Sequence, residues 1–258
     1  MSCILSKPMD DYLDIILITA SYIGVAVFAA TGVLASLRRQ MDMVGAVVLA
    51  IVTSVGGGTL RDVLTGQPVF WVREPVYLWI AVGTALVMLL FVGRIRFPER
   101  ALLLPDAIGL ALFTWLGCEK VALLGYSGII VGLFGVITGV AGGLLRDVLS
   151  AQVPNIMRKG ELYAAASIPG AVVYMILHAL KVTPEWVIPT ATMTTVLMLR
   201  LAAIRWQWGL PNLVAEPPFP GAAEALLTGT AQLPAKDAAP PSPAAPTGPN
   251  DATDIRLK

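Results

Sequence analysis

The stretch TSVGGGTLRDVL, residues 53–64, sets three consecutive glycines inside an apolar run and follows them with an arginine and an aspartate side by side. Residues 138–149 read TGVAGGLLRDVL, so nine of the twelve positions recur in register at an offset of 85. The same offset carries the match outward in both directions. Gly24, Ala26, Phe28 and Gly32 align with Gly109, Ala111, Phe113 and Gly117, Gln67 aligns with Gln152, and Arg73 aligns with Arg158.

The chain around these two stretches is too apolar for a soluble domain of its size. Of its 258 residues 56% are hydrophobic and only 14% are charged, and the mean hydropathy is +0.75. Such a chain belongs in a bilayer. A helix needs roughly 17 to 25 apolar residues to cross the hydrocarbon core, and seven such segments fit between charged or turn-rich breaks, at 15–37, 43–61, 76–93, 103–119, 128–146, 161–180 and 185–204. The fourth is interrupted early by Pro105 and Asp106 and late by Glu119 and Lys120, which also fits a buried helix of a soluble core.

Each repeated unit covers three of these segments. Three is odd, so the second unit enters the membrane from the side opposite to the first. The expected fold is therefore an all-α membrane protein of seven transmembrane helices, built as two inverted three-helix repeats plus a seventh helix, the architecture in which a pathway forms between halves near the midplane. Its expected parts are an N-terminal segment, 1–14, outside the cytoplasm; a first repeat, 15–100; a second repeat, 101–181; a seventh helix, 182–208; and a tail, 209–258.

Charge orients the chain. Arg38 and Arg39 follow the first segment, Arg94, Arg96 and Arg100 the third, and Arg146, Arg158 and Lys159 the fifth, whereas the alternate side carries a thinner set of Lys7, Arg61, Arg73, Lys120 and Lys181. Because cytoplasmic loops hold the excess of Lys and Arg, the N-terminus is expected outside and the C-terminus in the cytoplasm. No basic leader precedes the first segment, which reads as retained. The tail, with AAPPSPAAPTGPND, is Pro- and Ala-rich and reads as disordered, and Trp206 and Trp208 before it suit the headgroup level.

Other chemistry has little material. Cys3 and Cys118 lie in the leading segment and in an apolar span, so neither a disulfide nor a metal site is expected. His178 is the single histidine and reads as an interfacial residue or a proton-handling one. No nucleophile and base constellation, metal-ligand spacing or nucleotide-binding loop is present, which argues against an enzyme and leaves no cofactor and no nucleic-acid partner to expect.

The doubled motif carries the function. Glycine is roughly 1 kcal/mol worse than alanine inside a helix, so Gly56, Gly57 and Gly58, flanked by Thr53, Ser54 and Thr59, make a point that bends or unwinds, as do Gly142 and Gly143 after Thr138. Freed backbone groups in a membrane must line a wet cavity or be buried in protein. The alternative is close helix packing through small residues. Arg61 with Asp62, and Arg146 with Asp147, point about 100° apart on a helix, so each is expected to need its own partner. Inversion puts the first pair toward the outer surface and the second toward the inner one, as two ends of one path.

The paired GGGTLRDVL and AGGLLRDVL, on the second and fifth of seven spans, resemble the bacterial branch of the trimeric intracellular cation channel family over roughly residues 12 to 205. The resemblance implies a homotrimer in the inner membrane, each protomer enclosing its own pore for monovalent cations, chiefly potassium, with membrane lipids as its surroundings and the second and fifth helices bent at the glycines. A departure is Ala141, which stands where the first half has Gly56. Bacterial proteins similar to this one are also linked to glycine transport, so a secondary transporter of glycine or another small amino acid is the alternative.

Overall fold

The computed structural model describes residues 11–92, 99–154, 163–184 and 186–206. Cys3, Arg94, Arg96, Arg158, Lys159, Trp208 and the tail expected over 209–258 lie outside the described residues, and among the described ones there is no strand. The helices are α1 (Asp11–Arg38), α2 (Met43–Leu64), α3 (Phe70–Arg73), α4 (Val76–Val92), α5 (Leu103–Leu123), α6 (Gly128–Leu149), α7 (Ala164–Ala179) and α8 (Val187–Trp206). A short 3-10 turn, Glu99–Leu102, leads into α5. Asp14–Arg38, Met43–Leu64, Gly128–Leu149 and Val187–Trp206 are long and apolar enough to cross a membrane, and Val76–Phe91 and Ala164–Ala179 are shorter apolar helices. Helix α5 has the length for a crossing, at 21 residues, and carries Asp106, Glu119 and Lys120 within it.

The helix ends repeat as the sequence does. After α2, Gly66 takes the left-handed conformation at φ 68°, and 85 residues later Ala151 does the same after α6 at φ 50°. At both ends the next amide reaches back five residues: Gln67 N–H donates to the Asp62 carbonyl at 2.8 Å and Gln152 N–H to the Asp147 carbonyl at 2.9 Å. This is the Schellman closure, which satisfies carbonyls that a helix end leaves open and favours glycine at its left-handed residue. Gln40 after α1 and Gly125 after α5, again 85 apart, are left-handed as well. Helix α2 opens on Asp42, whose carboxylate accepts the Gly45 amide at 2.7 Å, an N-cap of the usual kind.

Contacts between matching helices are reciprocal. The rings of Phe28 on α1 and Phe113 on α5 stack with centroids 5.0 Å apart. A β-carbon on Gly24 would lie 3.1 Å from the Phe113 ring, and one on Gly109 would overlap the Phe28 ring. Each phenylalanine thus fills the notch left by the other helix's glycine. Residue 24 faces 113 while 28 faces 109, so α1 and α5 run in opposite directions. Helices α2 and α6 meet in the same manner: a β-carbon on Gly57 would overlap the Thr138 carbonyl oxygen, and one on Gly142 would stand 2.5 Å from that of Thr53. Between helices in lipid, apolar burial gives little net drive, so close approach at small residues and ring contacts carry the packing.

Neither α2 nor α6 is interrupted at its glycines. The helices are not unwound there, and the Thr138 and Thr53 backbones lie close against Gly57 and Gly142. Helix α1 packs on α2 and α4 as α5 packs on α6 and α7, α2 lies against α6, and α8 lies against α5 and α7.

Candidate functional site

The α2–α6 contact separates two clusters of charge. Arg61 lies four residues beyond Gly57 on α2, about 6 Å along the axis, and Arg146 lies the same distance beyond Gly142 on α6. Because the helices are antiparallel, these arginines stand past opposite ends of the contact. Helix geometry alone therefore sets the two motifs apart, as expected.

At the α2 end, Arg61 and Asp62 are both buried. Arg61 donates through Nε at 2.9 Å and Nη2 at 2.7 Å to Asp62 Oδ1, and the Phe70 amide donates to Asp62 Oδ2 at 2.9 Å. The expectation that neighbours 100° apart each need another partner is thus overturned. A guanidinium on three methylenes spans that angle, and low dielectric rewards the pairing. Helix α3 is folded over this end: Gly58 leaves room for Phe70, whose Cε1 would be 2.6 Å from a β-carbon there, and Trp71 Nε1 donates to Thr59 Oγ1 at 2.8 Å. A cavity of about 260 Å³ opens beside the pair, walled also by Arg73, Glu74 and Lys120.

The α6 end is more deeply buried and more heavily bonded. Arg146 is fully buried. It donates through Nε to Asp147 Oδ1 at 2.9 Å and through Nη1 to Asp106 Oδ1 at 2.7 Å. Tyr163 donates its hydroxyl to the same Asp106 oxygen at 3.2 Å. Arg200 of α8 stands 3.9 Å from Asp106 Oδ2, with its guanidinium 4.8 Å from the Tyr163 ring centroid. Two arginines and two aspartates balance here, which is how charge survives at depth in a membrane protein. Gly143 leaves the space that the Tyr163 hydroxyl fills.

The structure therefore separates the expected site residues into two ends and a middle. Thr53 and Ser54 turn their hydroxyls back onto their own helix, to the Leu49 carbonyl at 2.6 Å and the Ile51 carbonyl at 3.0 Å. Gly56 packs on Leu145, whose Cδ1 would be 2.5 Å from a β-carbon. Thr138 Oγ1 is buried and has no hydrogen-bond partner among the described residues. Sequence reasoning missed Asp106, Tyr163 and Arg200. Asp106 had a visible signal, a carboxylate inside an apolar segment, but its equivalent in the first half is Ser21, so the repeat did not flag it.

A membrane protein, all-helical among the described residues, with buried, paired charge at both ends of one helix contact falls in the class whose intramembrane charge marks a functional site. Known proteins narrow that class to one family. The chain matches the model of a family described as Glycine transporter over residues 18–92 and 103–179. It is 42% identical over 194 residues to a UPF0126 membrane protein of Vibrio cholerae, covering 73% of this chain and 79% of that one. It is 40% identical over 196 residues to the UPF0126 inner membrane protein YadS of Escherichia coli K12, covering 75% and 94%. Its fold is similar to the trimeric intracellular cation channel orthologue from Rhodobacter sphaeroides, with a TM-score of 0.71 at 36% identity over 74% of this chain and 98% of that one. A prokaryotic channel of that kind solved in 0.5 M KCl gives a TM-score of 0.70 at 28% identity over 76% and 100%. The chain is a bacterial member of the trimeric intracellular cation channel family.

Proposed function

We propose that this chain is a monovalent cation channel of the bacterial inner membrane, with potassium its chief ion, working as a homotrimer in which each protomer holds its own pathway. The polypeptide crosses seven times, as two inverted three-helix repeats over 15–100 and 101–181 and a seventh helix over 182–208, with its N-terminus outside. The reciprocal pairing of Gly57 with Thr138 and Gly142 with Thr53 carries this reading. It supports a local two-fold relation between α2 and α6, with the pathway running along the contact between them. Asp62 and Asp147 mark its two ends, each paired with the arginine before it, Arg61 or Arg146.

Backbone contact at those glycines leaves no width for an ion, so the arrangement described corresponds to a shut path. Conduction requires α2 and α6 to bend or part at Gly56, Gly57 and Gly58 and at Gly142 and Gly143. The alternative is uptake of glycine or another small amino acid, and one experiment separates the two. Purified protein in liposomes loaded with potassium should dissipate an imposed potassium gradient passively, without need of an amino acid. Saturable glycine accumulation by protein that passes no potassium would replace the channel with a carrier.

A further inference from the structure

We infer that the cavity beside Arg61 is a binding site for a small organic carboxylate, with the Lys120 ammonium as its principal anchor. Three cationic side chains, Arg61, Arg73 and Lys120, face two acidic ones, Asp62 and Glu74, around this space. One positive charge is left over. Asp62 is engaged elsewhere, with Oδ1 taking two bonds from Arg61 and Oδ2 the Phe70 amide. Lys120 is partly buried, and its ammonium stands 5.4 Å from the Phe70 ring centroid. It makes no ion pair or side-chain hydrogen bond among the described residues. A partly desolvated ammonium in no direct ion pair, in a space whose charges sum to +1, recruits an anion.

The walls choose the kind of anion. Phe70, Leu123 and Leu124 contribute apolar surface, which suits an organic body and not a bare halide. The space of about 260 Å³ also exceeds what one ion fills. Glu74 opposes a doubly charged oxyanion such as phosphate and leaves a singly charged carboxylate favoured. The consequence for transport rests on the channel reading: excess positive charge at the mouth of a cation path lowers the local cation concentration, and a bound carboxylate cancels it.

The test is calorimetric titration of purified full-length protein with propionate, and with propionamide as its uncharged isostere. Saturable propionate binding, no propionamide binding, and affinity about tenfold weaker in Lys120→Gln are expected, since a charge-assisted contact of this kind is about one decade in affinity. Arg73→Gln, at an exposed position, serves as a second variant that leaves the core intact and should also weaken binding. No propionate binding, equal propionamide binding, tighter binding of inorganic phosphate, or affinity indifferent to both substitutions in folded protein would overturn the assignment. In bilayers, propionate on the side of this cavity should raise wild-type potassium current. Binding without any current would count against the channel and leave the site standing, whereas current without binding would do the reverse.

Discussion

Replacing Gly57 by alanine probes the helix contact on which the account turns. In an isolated helix the change is favourable by roughly 1 kcal/mol. Here the new methyl overlaps the Thr138 carbonyl oxygen, and at the matching position a Gly142→Ala methyl would sit 2.5 Å from the Thr53 oxygen. Non-bonded heavy atoms prefer about 3.5 Å or more, so the helices must part by something on the order of 1 Å. Both obstacles are backbone atoms inside helices, and neither can rotate away as a side chain can. Overpacking of this kind costs about 1–3 kcal/mol, which exceeds the propensity gain across most of its range. Gly83→Ala on α4 is the control, because a β-carbon there meets nothing within 4 Å. Thermal unfolding in detergent should therefore fall for Gly57→Ala and Gly142→Ala and hold or rise for Gly83→Ala. Equal midpoints for all three would refute the claim that these glycines exist for close approach.

Three further outcomes follow from the same geometry. Asp106→Asn removes a partner of the fully buried Arg146, a loss of about 3–5 kcal/mol for a broken buried pair, and a lower unfolding midpoint, partly restored by adding Arg200→Gln, is the expected thermal result. Asp62→Asn leaves Arg61 uncompensated at the cavity, so the reversal potential in a potassium chloride gradient should move toward the chloride potential; no movement would detach Asp62 from the path. In a background lacking Cys3 and Cys118, Tyr126→Cys should react with an impermeant reagent applied to intact cells while Arg38→Cys stays protected, and the opposite pattern would invert the topology.

Much of this architecture was legible because lipid constrains sequence tightly. The seven apolar segments fall on α1, α2, α4, α5, α6, α7 and α8, and the 85-residue offset reappears in the left-handed caps at Gly66 and Ala151. The charged residues of the motif were legible by position but not by partner. Adjacent Arg and Asp look divergent on a helical wheel, yet the arginine side chain is long enough to close the gap, as it does at Arg61. Glycine is ambiguous in principle, since the same absent side chain permits a bend and a close contact, and the contact is seen only once the Thr138 and Thr53 carbonyls are placed against Gly57 and Gly142. Tyr163 and Arg200 come from elements with no motif of their own, and tertiary packing alone brings them to Asp106.

The central claim, passive cation conduction through each protomer, is tested most directly by unitary current recording from purified protein in a planar bilayer under a potassium chloride gradient. The account predicts discrete openings that reverse near the potassium equilibrium potential and change in amplitude or open time in Gly57→Ala. Protein that is folded and membrane-inserted yet shows no unitary currents, while accumulating a small amino acid with saturation, would contradict it.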